Sequence, residues 1–167
     1  MRHRGGVVLL VLAVCLAAAC FSFAETGPVV STDKNDYGAA EIITIRLTNV
    51  SFRSIFSHLG SQTPVFAIDG VEMKNAAGSW DTLSAWCRPP FCIYDMDAPA
   101  ELKPQESVSW AWDPWVYVGG THERARPAAG TYRLRISYRG QADGPAGHGQ
   151  WFNAVSNEFK IGQDGKK

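Results

Sequence analysis

The chain has 167 residues, 46% of them apolar, and its 16 basic and 16 acidic side chains cancel at neutral pH. Charge this balanced, with the two signs interspersed, argues against a nucleic-acid binder, which carries a basic patch or stripe. The length is that of one domain with a proper core.

Residues 1–24 read as an export signal. Arg2, His3 and Arg4 form a basic head, and Val7–Phe21 follows as an apolar run without a charge. Basic head, apolar run and small-residue exit are the order of a secretory signal. The run is shorter than the roughly 20 residues of a permanent membrane helix, and polar Ser22 and Glu25 end it. Two processing sites compete. Ser22-Phe23-Ala24 offers small residues at the two positions a signal peptidase needs for cleavage before Glu25. Ala17-Ala18-Ala19-Cys20 resembles a bacterial lipoprotein signal, in which Cys20 would take the lipid. Ala17 stands where that pattern prefers leucine, however, and bulky Phe21 and Phe23 follow. Cleavage after Ala24 is the expected route. It leaves 143 residues with 14 basic and 16 acidic side chains. The expected location is the periplasm, the outer cell envelope or the medium, with membrane contact only through a lipid on Cys20.

Along the remaining chain the pattern is that of short strands. Val30–Tyr37 reads as a strand and a polar turn at Asp33-Lys34-Asn35-Asp36. Glu41–Asn49 alternates, with Ile43, Ile45 and Leu47 on one face and Thr44, Arg46 and Thr48 on the other. Asn49-Val50-Ser51 is formally a glycosylation sequon, idle in a bacterial product. Ser51–Ser61 reads mostly as loop. Thr63–Asp69 is a further strand, Asp69-Gly70 a hairpin turn signal, and Val71–Lys74 the returning strand. Asn75–Ser79 is a turn and Trp80–Leu83 a short strand. Ala85–Pro99 is irregular. Leu102–Glu106 is a turn before Ser107–Asp113, where Val108, Trp110 and Trp112 share one face. Pro114–Ala129 reads as a long loop.

Ala129–Tyr138 gives the clearest signal. Tyr132, Leu134, Ile136 and Tyr138 fall on one face; Arg133, Arg135, Ser137 and Arg139 fall on the other. That strict period of two marks a half-buried strand. Gly140–Gly149 is a second loop, Ser156–Ile161 a closing strand with Phe159 and Ile161 inward, and Asp164–Lys167 a polar tail. The total is seven to nine strands and no helical stripe. This predicts an all-β, antiparallel, immunoglobulin-like sandwich over residues 25–163.

Cys87 and Cys92 are the only cysteines beyond the signal. In an oxidising compartment the pair is expected to form a disulfide. Closing so short a loop contributes about 2 kcal/mol. A redox site would favour C-x-x-C, and zinc would need two further ligands.

Several segments together carry a family likeness: Glu41-Ile-Ile-Thr-Ile-Arg-Leu-Thr-Asn, Gly78-Ser-Trp80, Leu102-Lys-Pro104-Gln-Glu106-Ser, Ala129-Gly-Thr-Tyr132-Arg-Leu and Ser156-Asn-Glu-Phe159-Lys-Ile. Over Val29–Ile161 the chain resembles the bacterial immunoglobulin-like domains of secreted proteins and lipoproteins. It is more distantly similar to the Bacillus intracellular proteinase inhibitor family. The resemblance implies a non-catalytic module that binds a protein or glycan of the envelope, or spaces other components. It also suggests a tyrosine corner at Tyr132. Its motifs describe turns and core positions rather than a site.

The chemistry-bearing residues are sparse. His58, His122 and His148 all lie in loops without a second ligand at i+2 or i+4, so solvated histidines are expected and no metal or cofactor. Asp95-Met96-Asp97 supplies too few oxygens for calcium. No nucleophile elbow or phosphate-binding loop is present, and no catalytic residue is assigned. Trp80, Trp110 and Trp112 are expected in the core. Trp86, Trp115, Tyr117 and Trp151 lie in or beside loops. There they either cap the open ends of the sandwich or form a surface that stacks on sugars or anchors a partner. The alternatives to an envelope module are a proteinase inhibitor presenting the Pro114–Pro127 loop and, less favoured, a small secreted enzyme.

The exported protein should have an intact mass that starts at Glu25 and lies two hydrogens below the reduced chain. A diacylglyceryl Cys20 terminus would overturn the cleavage site, and free thiols at Cys87 and Cys92 the disulfide.

Overall fold

The computed structural model describes residues 27–57, 66–83, 101–117, 123–140 and 150–163. The export signal, Cys20, Trp86, the Cys87–Cys92 pair, the three loop histidines and Asp95-Met96-Asp97 lie outside these residues. The described chain is all-β: thirteen strands, no helix, and pairing that is antiparallel throughout except where the chain ends meet. The count exceeds seven to nine because two-residue strands form inside segments expected to be loops.

One sheet has three strands in the order β1 (Val29–Thr32), β3 (Ile43–Thr48), β8 (Ser107–Trp112). β3 alternates as its sequence dictates: Ile43, Ile45 and Leu47 are fully buried, and Thr44 and Arg46 face water. On β8, Trp112 is buried, while Val108 and Trp110 pack half-buried against the core. The larger sheet is built on β11 (Gly130–Arg139). One side of β11 takes β13 (Phe159–Ile161) at its start and β12 (Trp151–Val155) at its end. The other side takes β5 (Ala67–Lys74), with β4 (Ile55–Phe56) beyond it. β6 (Trp80–Leu83) pairs with β5, and β7 (Glu101–Leu102) with β4. β2 (Asp36–Tyr37) runs parallel to β13. A small pair, β9 (Val116–Tyr117) and β10 (Arg124–Ala125), stands where a long loop was expected. Inward residues of both sheets form a single core, from Val30 to Ile161 along the chain.

Asp69-Gly70 is not a turn. β5 runs straight through it, and Asp69 is the extra residue of a β-bulge opposite Arg135 and Ile136. The reason lies in the spacing of apolar residues. Phe66 and Ile68 face the core before the bulge, Val71 and Met73 after it, so the inward parity changes between Ile68 and Val71. An inserted residue restores the match to β11. Trp151, read as lying in or beside a loop, opens β12.

Three turns match the sequence reading. Asn75–Ser79 closes with Gly78 at φ 81°, and the Asn75 carboxamide accepts from the N–H groups of Ala77 and Ser79. Lys103–Glu106 has proline at its second position and Gln105 at φ 66°, the left-handed place where a glycine is usual. Tyr132 forms the expected corner. Its hydroxyl donates to the carbonyl of Ala128, four residues upstream, and its ring stacks on Phe159 at 6.2 Å.

The turn between β1 and β2 is tied by one carboxylate. Asp33 Oδ1 accepts from the Tyr37 hydroxyl at 2.8 Å and the Thr44 N–H at 2.9 Å. These bonds, the Tyr37 one foremost, hold its pKa below the ordinary value. A carboxyl depressed in the folded state contributes stability above its unfolded pKa of about 3.9 and loses it as pH falls through the folded value. Asp33→Asn should therefore flatten the acid limb of the stability–pH curve below about pH 4. Urea midpoints measured from pH 2 to 7 test this; a variant parallel to the unmodified chain throughout would refute it.

Candidate functional site

Of the four aromatic residues singled out as a surface, the three that are described do not come together. Trp86 lies outside the described residues. Trp115 and Tyr117 belong to the segment around β9, tied to Arg124 and Arg126 just before β11 begins. Trp151 sits opposite Arg139, where β11 ends. A ten-residue strand spans about 30 Å, so these rings lie toward opposite ends of the sheet.

Arginine stacks on each of three tryptophans. Arg126 lies 4.2 Å from the centre of the Trp115 ring and pairs with Asp113, which also accepts from Trp115 Nε1 at 3.0 Å. Arg139 lies 4.1 Å from Trp151, and Arg133 4.2 Å from Trp80. Trp80, expected in the core, is instead half-buried on the outer face, with Lys74 also near its ring at 5.3 Å. Its place on β6, which among the described residues pairs only with β5, opposite Lys74, puts it there. Such cation–π contacts are worth about 0.5–1 kcal/mol each at exposed sites.

The arginine stripe of β11 is matched by acids on β5. Glu72 is buried, and its two oxygens bind Arg133 Nε and Arg135 Nη1. Arg135 Nε also reaches Asp69, the bulge residue, at 3.0 Å. Gly70 leaves room for this arrangement. A Cβ there would stand 2.9 Å from Arg135 Nη2 and 3.3 Å from the Thr82 methyl, because the guanidinium crosses the strand above it. The outer face is therefore a closed ionic network rather than a basic patch.

A different feature emerges at the end of β11 where Trp151 stands. A groove of about 620 Å3 opens between the start of β1, the segment after β3, and the β11–β12 ends. Tyr138 and Phe152 stack within it at 5.6 Å. Both are on the inward faces of their strands, beyond the last buried layer of Ile136 and Ala154. Arg53 supplies the charged side chain among the described lining residues. Ser54, on the same wall, donates to Glu101.

The wall after β3 is fixed by Asn49, whose side chain is fully buried. Its Nδ2 donates to the carbonyls of Arg53 and Leu102, at 2.8 and 2.9 Å. Its Oδ1 accepts from the N–H and hydroxyl of Ser51. All four hydrogen-bonding positions of the amide are used, so in the folded chain the sequon asparagine is a structural tie. Among the described residues no group of three His, Cys, Asp or Glu side chains is placed to hold a metal ion. No helix there is long and apolar enough to cross a membrane.

Compared with protein-family models, curated proteins and solved structures, the chain matches none.

Gly70→Ala should destabilise the fold by about 1–2 kcal/mol through displacement of the Arg135 guanidinium from its charged hydrogen bonds. In an Arg135→Ala background, where only the Thr82 contact remains, the same change should cost less, a coupling that a double-mutant cycle reads directly. Additive costs would show that Gly70 serves some other purpose.

Proposed function

We propose that this chain is an extracytoplasmic, immunoglobulin-like β-sandwich module of the bacterial cell envelope, acting by binding or spacing rather than by catalysis. The observation that carries the reading is the Tyr132 corner at the start of β11. Immunoglobulin-like sandwiches place such a tyrosine where the chain turns into the strand at the middle of one sheet. The strand order supports it. The order β1-β3-β8 is what one sheet of such a sandwich would contribute, and β13-β11-β5, with β6 beyond β5, is what the other would. The basic head and apolar run at residues 2–21 support export. Binding is supported by the groove beside Tyr138 and Phe152, whose volume falls in the range of ligand pockets.

Expressed in a bacterial host, the chain should fractionate with the periplasm, membranes or medium, processed at residue 24 or lipidated at Cys20. It should then co-sediment saturably with isolated envelope fragments. Cytoplasmic retention of the unprocessed chain would refute the compartment. Processed protein that binds neither envelope fragments nor envelope proteins would leave only the spacing role.

A further inference from the structure

Six large apolar side chains stand exposed among the described residues. Four of them gather at the groove end. Phe152 lines the groove and is 38% exposed; Val29, Phe52 and Trp151 are chain neighbours of lining residues, with exposures of 52%, 80% and 41%. Phe52 is the extreme case. So exposed, it forgoes nearly all the stabilisation that burying a phenylalanine would give. The exposure is built in, because Asn49 bonds to Ser51 on one side of Phe52 and to Arg53 on the other. The strand end adds a ring to each face of the sheet: Phe152 on the inner side and Trp151, under Arg139, on the outer.

The chain itself gives this end a direction. Gly27 is part of the groove wall, so residues 1–26 join the fold here. The apolar run ends at Phe21, six residues earlier. Six residues span at most about 20 Å. During export, while the run is still in the bilayer, and afterwards where Cys20 carries a lipid, the membrane would therefore lie within about 20 Å of Gly27 on the groove wall; after cleavage at Ala24 the tip itself would make the contact. Aromatic side chains suit the bilayer interface. Arginines beside them reach phosphates while their stems stay apolar, and basic residues near an anionic membrane add electrostatic attraction.

We propose that this tip is a membrane-docking surface for an anionic phospholipid bilayer. Phe52, Trp151, Phe152 and Val29 enter the interface, and Arg53 and Arg139 lie at the level of the lipid phosphates. The tip orients the module on the membrane independently of any covalent anchor. It rests on the envelope reading only for the bilayer that it meets in the cell.

The test uses the chain from Glu25 to Lys167, which holds every residue of the buried core and lacks both the apolar run and Cys20. Co-sedimentation is measured with phosphatidylglycerol–phosphatidylcholine vesicles and with phosphatidylcholine alone. Binding should favour the anionic vesicles and weaken with salt. Phe52→Asp should reduce it at least tenfold and Arg53→Glu severalfold. Ile42→Asp, at an exposed apolar position before the far end of β3, should leave it unchanged. A readout without the aspartate variants comes from brominated acyl chains. They should quench the tryptophan fluorescence of the unmodified chain, and Trp151→Phe should remove most of that quenching. Failure to bind anionic vesicles, or binding untouched by Phe52→Asp, overturns the proposal. So does capture by envelope glycan or protein without vesicle binding. Export without vesicle binding defeats this proposal alone; vesicle binding by a chain that is not exported defeats the envelope reading alone.

Discussion

The register of β11 is the constraint on which the larger sheet depends. Tyr132, Leu134 and Ile136 are fully buried, and Arg133, Arg135 and Arg139 alternate with them. A slip of one residue would exchange the two sets and carry guanidinium groups into the core. No packing gain offsets that cost, so β11 has one register and its neighbours conform to it. The bulge at Asp69 is the clearest consequence. Ile68 and Val71 are three residues apart, and both can face the core only if β5 gains a residue against β11. The bulge then sets Asp69 beside Arg135 and lets that guanidinium cross at Gly70. One packing requirement thus produces an ionic network on the opposite face.

That network changes the meaning of the arginine stripe. Read linearly, three arginines in seven residues suggest a basic surface. In the fold, Glu72 engages two of them, and Trp80 and Trp151 take the stacking faces of Arg133 and Arg139. A buried carboxylate held by two arginines is costly to leave unpaired. The network therefore disfavours pairings of β5 that would strand Glu72.

What was legible in the sequence was local. Strict alternation located β3 and β11 and the inward faces of both. Turn chemistry located Asn75–Ser79 and Lys103–Glu106, and the Gly130–Tyr132 spacing anticipated the corner. What was not legible depended on partners far along the chain. Asp-Gly carries the same local signal in a hairpin and in a bulge; Arg135, more than sixty residues away, decides between them. Trp80 looks like a core residue until its strand is placed beside β5, with Lys74 opposite. The groove was missed for a related reason. Its rings, Tyr138 and Phe152, continue the inward pattern of two core strands. Among the described residues no further buried layer surrounds them, and that turns core periodicity into a surface. The step from Ile68 to Val71 was the one available clue to the bulge, since three is neither the strand period nor a turn.

Asn49 shows how the core and the tip are joined. A buried amide normally signals a polar group accommodated at some cost, yet here every donor and acceptor is satisfied by backbone or by Ser51. Removing it would leave the carbonyls of Arg53 and Leu102 without that donor and loosen the path around Phe52. The fold thus spends a fully bonded core position on fixing a segment whose central side chain buries almost nothing. Stability of the isolated domain gives no reason for this, since a polar residue at position 52 would serve as well. A partner surface does give one. An apolar group already held in its bound geometry loses little conformational freedom on association. Rigidity at Asn49 and exposure at Phe52 would then be parts of one design, as the proposed docking of the tip requires.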